Sequence, residues 1–366
     1  MPPVLNPANL YSEIRAGNLS PAVKGFPARV YVPNSASDTV DVIDPATYKV
    51  IDHFKVGREP QHVTPSWDLK TLWVLNDQGD SLTKIDPATG KQGETIRVTD
   101  PYNMYYTPDG KYAMVVAERY ARLDFRNPDT MKLEESLHLP CKGIDHMDFS
   151  ADGTFLIASC EYAGTIVKVD VAAKKLIGTL SLSTGKPARP MRMPGMSGEV
   201  ASRRVYDLKA SPSGSMPQDV KTSPDGKIFY VADMYANGVF MIDGEKFTNL
   251  GFIPTGEGTH GLYPSRDAKL LYVSNRDEGT VSVISFAERK VVQKWTIPGG
   301  GSPDMGGVSS DGKLLWLSGR YDSVVYVLDT SDGHLVAKIP VGKGPHGLSV
   351  YPQPGRYSLG HTGILR

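Results

Sequence analysis

The chain has 366 residues with 40 basic and 40 acidic side chains, 37 glycines, 28 prolines, 2 cysteines and 40% apolar residues, the composition of a turn-rich globular protein. Zero net charge without a basic patch argues against nucleic acid or an anionic membrane surface as partner. No apolar run approaches the roughly 20 residues that cross a bilayer, and the opening MPPVLNPANLYSEIRAG lacks the pattern of an export signal, so a soluble protein is expected. A cleaved leader would place it outside the cytoplasm, and the compartment stays open.

In chain order, residues 1–27 carry no repeat and read as an N-terminal extension. Residues 28–57 hold three alternating runs, RVYVPN, DTVDVID and KVIDHFKV, with the period of strands. A longer unit then recurs as PQHVTPSWD from Pro60, PYNMYYTPDG from Pro101, GIDHMDFSADG from Gly143, MPQDVKTSPDG from Met216, GTHGLYPSRD from Gly258, SPDMGGVSSDG from Ser302 and GPHGLSVYPQPG from Gly344. Aligned on one column these give His62, Asn103, His146, Asp219, His260, Asp304 and His346, at steps of 41, 43, 73, 41, 44 and 42 residues. Each copy continues through a polar turn into apolar runs ending in Asp, such as LYVSNRDEGTVSVIS from Leu271.

Four short strands per unit of about 42 residues is the signature of propeller blades. The N-terminal segment lacks a first strand, and residues 345–351 supply a first strand with nothing to follow it. The chain is therefore expected to be an all-β, seven-bladed propeller of four-stranded blades over 28–351, closed by the C-terminal strand completing the N-terminal blade, with 352–366 as a tail. The anomalous step comes from an insertion at 183–215, rich in Pro, Gly, Ser, Met and Arg, which reads as a lid or a floppy loop. Its Met191, Met193 and Met196 suit soft metal ligation or an apolar cover equally.

The first strand of each blade lines the channel, so the aligned column makes a ring. His62, His146, His260 and His346, with Asp219 and Asp304 supporting and Asn103 as the seventh member, offer ligands for copper, iron or zinc. A small-molecule ligand would meet Asn103, Asp219, Asp304, Arg276 and Arg320. The same cluster could supply a general base near neutral pH, with carboxylates raising the histidine pKa. His146, Glu118 and Glu161 are then the residues that would move protons. Asn76, Asp77, Arg119, Asp233 and Asn275, at the ends of second strands, complete a rim with Glu118, Glu161, Arg276 and Arg320. The structural alternative is that polar residues at these places only cap loops and hold channel water. His53, His138, His334 and His361 fall outside the column and read as surface or packing residues. Cys141 and Cys160 face the same end of one hairpin, which fits a disulfide or a pair of buried thiols. No G-x-S-x-G elbow, P-loop, H-E-x-x-H or CxxCH occurs.

YVPN at Tyr31 and YVSN at Tyr272, with WVLN at Trp73 and YVAD at Tyr230, resemble the YVTN repeat of bacterial seven-bladed propellers of the YncE-like kind. Relatives of that fold include lactonase-like propellers, the d1-haem domain of nitrite reductase, nitrous oxide reductase and thiocyanate dehydrogenase. The copper enzymes imply that channel histidines can hold a metal cluster. The d1-haem proteins imply a tetrapyrrole over the same face, where His62, His146, His260, Arg276 and Arg320 would meet it. The expectation is a metal or small ligand at the channel mouth, in a metal-dependent oxidoreductase or hydrolase if the protein is an enzyme. The competing expectation is a non-catalytic scaffold for a protein or glycan partner.

Overall fold

The computed structural model describes residues 1–183, 214–361 and 363–366. The insertion expected over 183–215 as a lid or a floppy loop, with Met191, Met193 and Met196, lies outside the described residues from 184 to 213. Seven four-stranded antiparallel sheets are arranged as the blades of a propeller. Their inner strands are Ser349–Tyr351, Pro60–Pro65, Asn103–Tyr106, Ile144–Phe149, Pro217–Thr222, Thr259–Pro264 and Pro303–Val308, in blades 1 to 7 respectively. Blade 1 is built from both ends of the chain: Ser349–Tyr351 pairs antiparallel with Arg29–Asn34, in register from Arg29 with Tyr351 to Tyr31 with Ser349. Closure is reinforced where Val63 N donates to Gly347 O at 3.0 Å and Gly347 N donates to Gln61 O at 2.9 Å, joining inner strands of blades 1 and 2.

Apolar residues on both faces of the second and third strands are buried because each blade is covered by two neighbours. Tyr105, Val116 and Phe125 of blade 3, for example, pack in one cluster with Met147, Phe149 and Val167 of blade 4. Outer strands such as Lys49–Lys55 are largely exposed, as their charged sequences require. The polar turns of the repeat have one construction: Ser150 Oγ donates to Asp152 Oδ1 at 2.7 Å, and Ser223, Ser265 and Ser309 bond Asp225, Asp267 and Asp311 at 2.6 Å. The following residue is left-handed, with φ of 70° at Gly153 and 71° at Gly226, which glycine adopts without a Cβ penalty.

The asparagine of the YVTN-like motif clamps a hairpin. Asn275 Nδ2 donates to Thr280 Oγ1 and Ser282 Oγ, both at 3.0 Å, and Asn76 Nδ2 donates to Ser81 Oγ at 3.2 Å and Thr83 Oγ1 at 2.9 Å. Asn76 and Asn275 therefore serve the fold, although the sequence places them on the rim. Cys141 and Cys160 form a disulfide with a Cα separation of 5.9 Å, which resolves the choice left open by the sequence.

The tail is not a loose end. Tyr106 N donates to Leu359 O at 2.9 Å and His361 N donates to Met104 O at 2.8 Å, so the segment adds itself to the inner strand of blade 3 inside the channel. The N-terminal extension crosses the same end of the propeller, with Leu10 N donating to Pro224 O at 2.7 Å and Tyr11 OH donating to Thr222 O at 2.6 Å. Arg366 meets it there, its guanidinium 5.2 Å from the centre of the Tyr11 ring. Between these segments and the inner strands remains a cavity of about 30 Å³ touched by Tyr11, Lys221, Tyr263, Gln353 and His361, room for about one water.

Candidate functional site

Every inner strand begins at the same end of the channel, and a backbone bond ties that start to the turn after the second strand. Asp77 N donates to Glu59 O, Glu161 N to Gly143 O, Arg276 N to Gly258 O and Arg320 N to Ser302 O, at 2.7 to 3.1 Å. This bond sets the rim residues above the ring. A β-bulge then follows in the inner strand, with register shifts between Ile144 and Met147, Pro217 and Val220, Thr259 and Leu262, Pro303 and Gly306, and Pro60 and His62. A bulge re-aims side chains, and here it lets two successive residues contribute to the channel.

The ring expected at one level is consequently two. His260 and Asp304 stand one residue past the strand-pairing residues Thr259 and Pro303, and His346 one past Pro345, which bridges Asn34. His62, His146 and Asp219 stand two past Pro60, Ile144 and Pro217. The first set forms an upper level near the channel mouth. The second forms a lower level, joined by Asn103 through its contacts. All seven column residues are buried, at 0 to 3% exposure.

His361 belongs with them: of the two roles expected, surface or packing, burial excludes the surface one. It is 1% exposed, its ring centre lies 4.7 Å from that of His146 and 5.2 Å from that of His62, and its Nε2 is 3.8 Å from Asp219 Oδ1. The tail delivers it, with its backbone at φ 50° and Gly360 beside it, where a Cβ would come within 2.5 Å of Tyr105 Cα. His53, His138 and His334 are exposed, as expected.

Three donor atoms converge at each level: one each from His260, Asp304 and His346 above, and one each from His146, Asp219 and His361 below, within 4.8 Å of one another in each group. The two groups differ in what else holds them. Below, Asn103 Oδ1 accepts from Met104 N, so its Nδ2 is the atom that donates to His146 Nδ1 at 3.0 Å and His361 Nδ1 at 3.1 Å. Asp219 is engaged by Lys221 Nζ at 3.0 and 3.3 Å, by Leu262 N at 2.9 Å and by Val220 N at 2.9 Å. His146 Nε2 lies 3.2 Å from Asp145 Oδ1.

Above, Asp304 Oδ1 lies 3.2 Å from His260 Nδ1 and 3.3 Å from Arg276 Nη1, while its Oδ2 lies 3.5 Å from His346 Nε2 and 3.9 Å from Arg320 Nε. His260 Nδ1 is also 3.1 Å from Met305 Sδ. His62, of the lower set, lies nearer His346 of the upper set than His146 of its own, with ring centres 4.8 Å and 5.6 Å apart.

Burial pushes the pKa of His146, His260 and His361 well below the ordinary imidazole range, with neighbouring histidines and the cations Lys221, Arg276 and Arg320 adding to it. The expectation that carboxylates would raise these values is therefore reversed, because desolvation of the imidazolium outweighs them. That shift favours the neutral imidazole, the form that ligates metals. Burial also raises the Asp219 carboxyl against the pull of Lys221. Glu118 and Glu161 open the short helical turns Glu118–Tyr120 and Glu161–Ala163 after the second strands of blades 3 and 4, and both are buried. The bond from Glu161 N to Gly143 O at 2.7 Å sets it at the same mouth, and its charge raises the pKa of Arg276 and Tyr235.

Solved structures show the same fold. Hydrazine synthase of Kuenenia stuttgartiensis is 18% identical, with 84% of this chain and 96% of that chain covered at a TM-score of 0.66. A functionally unknown protein from Desulfotomaculum acetoxidans is 16% identical over 88% of this chain and 98% of that chain, also at 0.66. The dihydro-heme d1 dehydrogenase NirN, in complex with DHE, is 13% identical over 91% of this chain and 76% of that chain, at 0.61. No curated protein matches the sequence. The profile of YNCE-like β-propellers matches residues 5–138 and 198–355, which takes in His62, His260, Asp304 and His346 and leaves His146 and His361 outside. By that match over most of its length, the chain belongs to the YNCE-like β-propeller family.

Proposed function

We propose that the propeller binds one transition-metal ion at the upper level, through His260, Asp304 and His346 with His62 beside them, and presents it to a small ligand arriving at the mouth. The observation that carries this is the convergence of the three upper donor atoms, two imidazole nitrogens and a carboxylate oxygen, within 4.8 Å of one another. The mouth supplies polar groups for the incoming molecule in Arg276 and Arg320, with Glu118 and Glu161 to carry protons. Copper, iron and zinc all accept imidazole and carboxylate. Such an ion would supply Lewis acidity or an electron path.

For the lower level a different reading is favoured. The forked Asn103 amide takes the Nδ1 lone pairs of both imidazoles, and Lys221 with two backbone amides occupies Asp219. A cation there would have to displace an ammonium at 3.0 Å. His146, Asn103 and His361 then act as a hydrogen-bonded plug that fastens the tail beneath the metal.

The test is metal content by plasma mass spectrometry on protein purified without a polyhistidine tag, before and after incubation with copper, iron and zinc. One ion per chain, lost in His260→Ala/His346→Ala with an unchanged circular dichroism spectrum, is expected. A double variant that keeps its metal, or native protein that takes up none, overturns the proposal and returns weight to a scaffold for a protein or glycan.

A further inference from the structure

The proposed metal level does not treat all ions alike, and two independent features separate them. The first is sulfur. Met305 directly follows Asp304, and the bulge turns it inward so that it is fully buried with its Sδ 3.1 Å from His260 Nδ1. Ligand atoms held tetrahedrally at bonds of about 2.0 to 2.3 Å lie roughly 3.3 to 3.7 Å apart. The spacings of 3.2 Å from His260 Nδ1 to Asp304 Oδ1 and 3.5 Å from Asp304 Oδ2 to His346 Nε2 are of that order, and the sulfur lies 3.1 Å from the same His260 nitrogen. Tyr263 fixes the strand behind the sulfur: its hydroxyl accepts from Gly306 N at 2.7 Å and lies 3.6 Å from Met305 Sδ. A thioether is a soft donor with little affinity for hard dications, and it is a ligand cuprous copper takes readily.

The second feature is charge. Two guanidiniums face Asp304, Arg276 at 3.3 Å and Arg320 at 3.9 Å, and both arginines are buried. Arg276 is held over the Tyr321 ring at 5.5 Å, and Arg320 Nη1 donates to Ser35 Oγ at 3.1 Å and Gly344 O at 3.3 Å. Neither is free to withdraw. Because Coulomb repulsion scales with the charge of the incoming ion, this pair opposes a dication twice as strongly as a monocation.

We infer that the upper level selects copper in its cuprous state, bound by His260 Nδ1, His346 Nε2 and Met305 Sδ, with Asp304 serving mainly as counter-ion to Arg276 and Arg320. This rests on the metal-binding reading above. It adds the ion, its charge state and a ligand, Met305, that lies outside the repeated histidine column, and it moves Asp304 from ligand to counter-ion.

The test uses the full chain without a tag. Cuprous affinity is measured anaerobically by competition with bicinchoninate, zinc affinity by competition with a chromophoric chelator, and X-ray absorption on the copper-loaded protein reports the scattering atoms. The expected result is one cuprous ion per chain, bound at least 100-fold more tightly than zinc, with a sulfur scatterer. Met305→Leu, a change that keeps the volume of the side chain, should weaken cuprous binding tenfold or more and leave zinc binding unchanged. Arg276→Gln, which keeps a polar group under Tyr321, should narrow the gap between copper and zinc. Zinc bound as tightly as cuprous copper, or a copper site without sulfur whose affinity survives Met305→Leu, overturns the inference while the metal-binding proposal stands. Protein that takes up neither of these ions nor iron overturns both.

Discussion

Arg366→Met should undock the tail. In the native chain Arg366 Nη2 lies 2.8 Å from Asp148 Oδ1, with both side chains buried. The carboxylate also accepts from Phe149 N at 2.8 Å and Thr222 N at 2.9 Å, so it is fixed and cannot follow a lost partner. Removing one member of such a pair costs about 3–5 kcal/mol. What opposes undocking otherwise is modest. Tyr357, Leu359, Ile364 and Leu365 are buried, a gross gain of about 1.5–3 kcal/mol each, against about 1–2 kcal/mol for each tail residue ordered. The ordering cost of residues 352–366 exceeds that gain, so the polar anchors of the tail, the buried ion pair foremost, keep it in the channel. The assay is amide hydrogen exchange by mass spectrometry, because Tyr106 N and His361 N are protected only by bonds between the tail and blade 3. A loss of about 3 kcal/mol corresponds to roughly 150-fold faster exchange. Asp148→Asn combined with Arg366→Met should recover part of it, since no charge is then left buried alone. Unchanged exchange in the single variant would refute the reasoning and place the anchor elsewhere.

Three further outcomes are expected. Replacing Cys141 and Cys160 with Ser removes a bridge across 19 residues of sequence, and should cost about 3 kcal/mol in urea unfolding; alkylation of the unreduced native protein should add no mass, and added mass would show free thiols. Asn275→Ala deletes two bonds of 3.0 Å that close the second hairpin of blade 6, and should cost about 1–3 kcal/mol without altering metal uptake; a change in uptake would mean that this asparagine does more than clamp. In Gly347→Ala a Cβ would fall 1.9 Å from His62 Nδ1, so His62 must move, at about 1–3 kcal/mol for overpacking. Metal affinity unchanged in that variant would remove His62 from the site.

The fold was legible because its rules repeat. The serine-aspartate turn, the hairpin asparagine and the alternating apolar strands occur blade after blade, and the missing first strand of blade 1 showed how the circle closes. Those signals are local and each copy corroborates the next. The site was legible only in part. All seven column residues reach the channel, yet their two levels depend on where each bulge falls, and a bulge is set by pairing with the second strand, which a column of aligned letters does not contain. His361 was missed for the opposite reason: SLGHTG occurs once, and a search for repeats is blind to a single copy. The direction of the histidine shifts was missed because the sequence shows neighbouring charges and does not show burial.

The two levels were nevertheless written in the residue that follows each histidine. His260 and His346 are each followed by glycine, whereas His62 is followed by Val63 and His146 by Met147. The glycines are required by volume: a Cβ on Gly261 would meet Tyr263 Oη at 2.2 Å, and one on Gly347 would meet His62 Nδ1. Where a blade places its imidazole at the upper level, it vacates the lower one, and the space is taken by Tyr263 of the same blade in one case and by His62 of the neighbouring blade in the other. In blade 7 the lower position carries Met305 in place of glycine, and its sulfur comes to rest against the upper imidazole of blade 6. The channel is thus packed as a three-dimensional set of choices between two positions per blade. A thioether reaches the upper histidine where the occupant of the lower position is long enough to reach up.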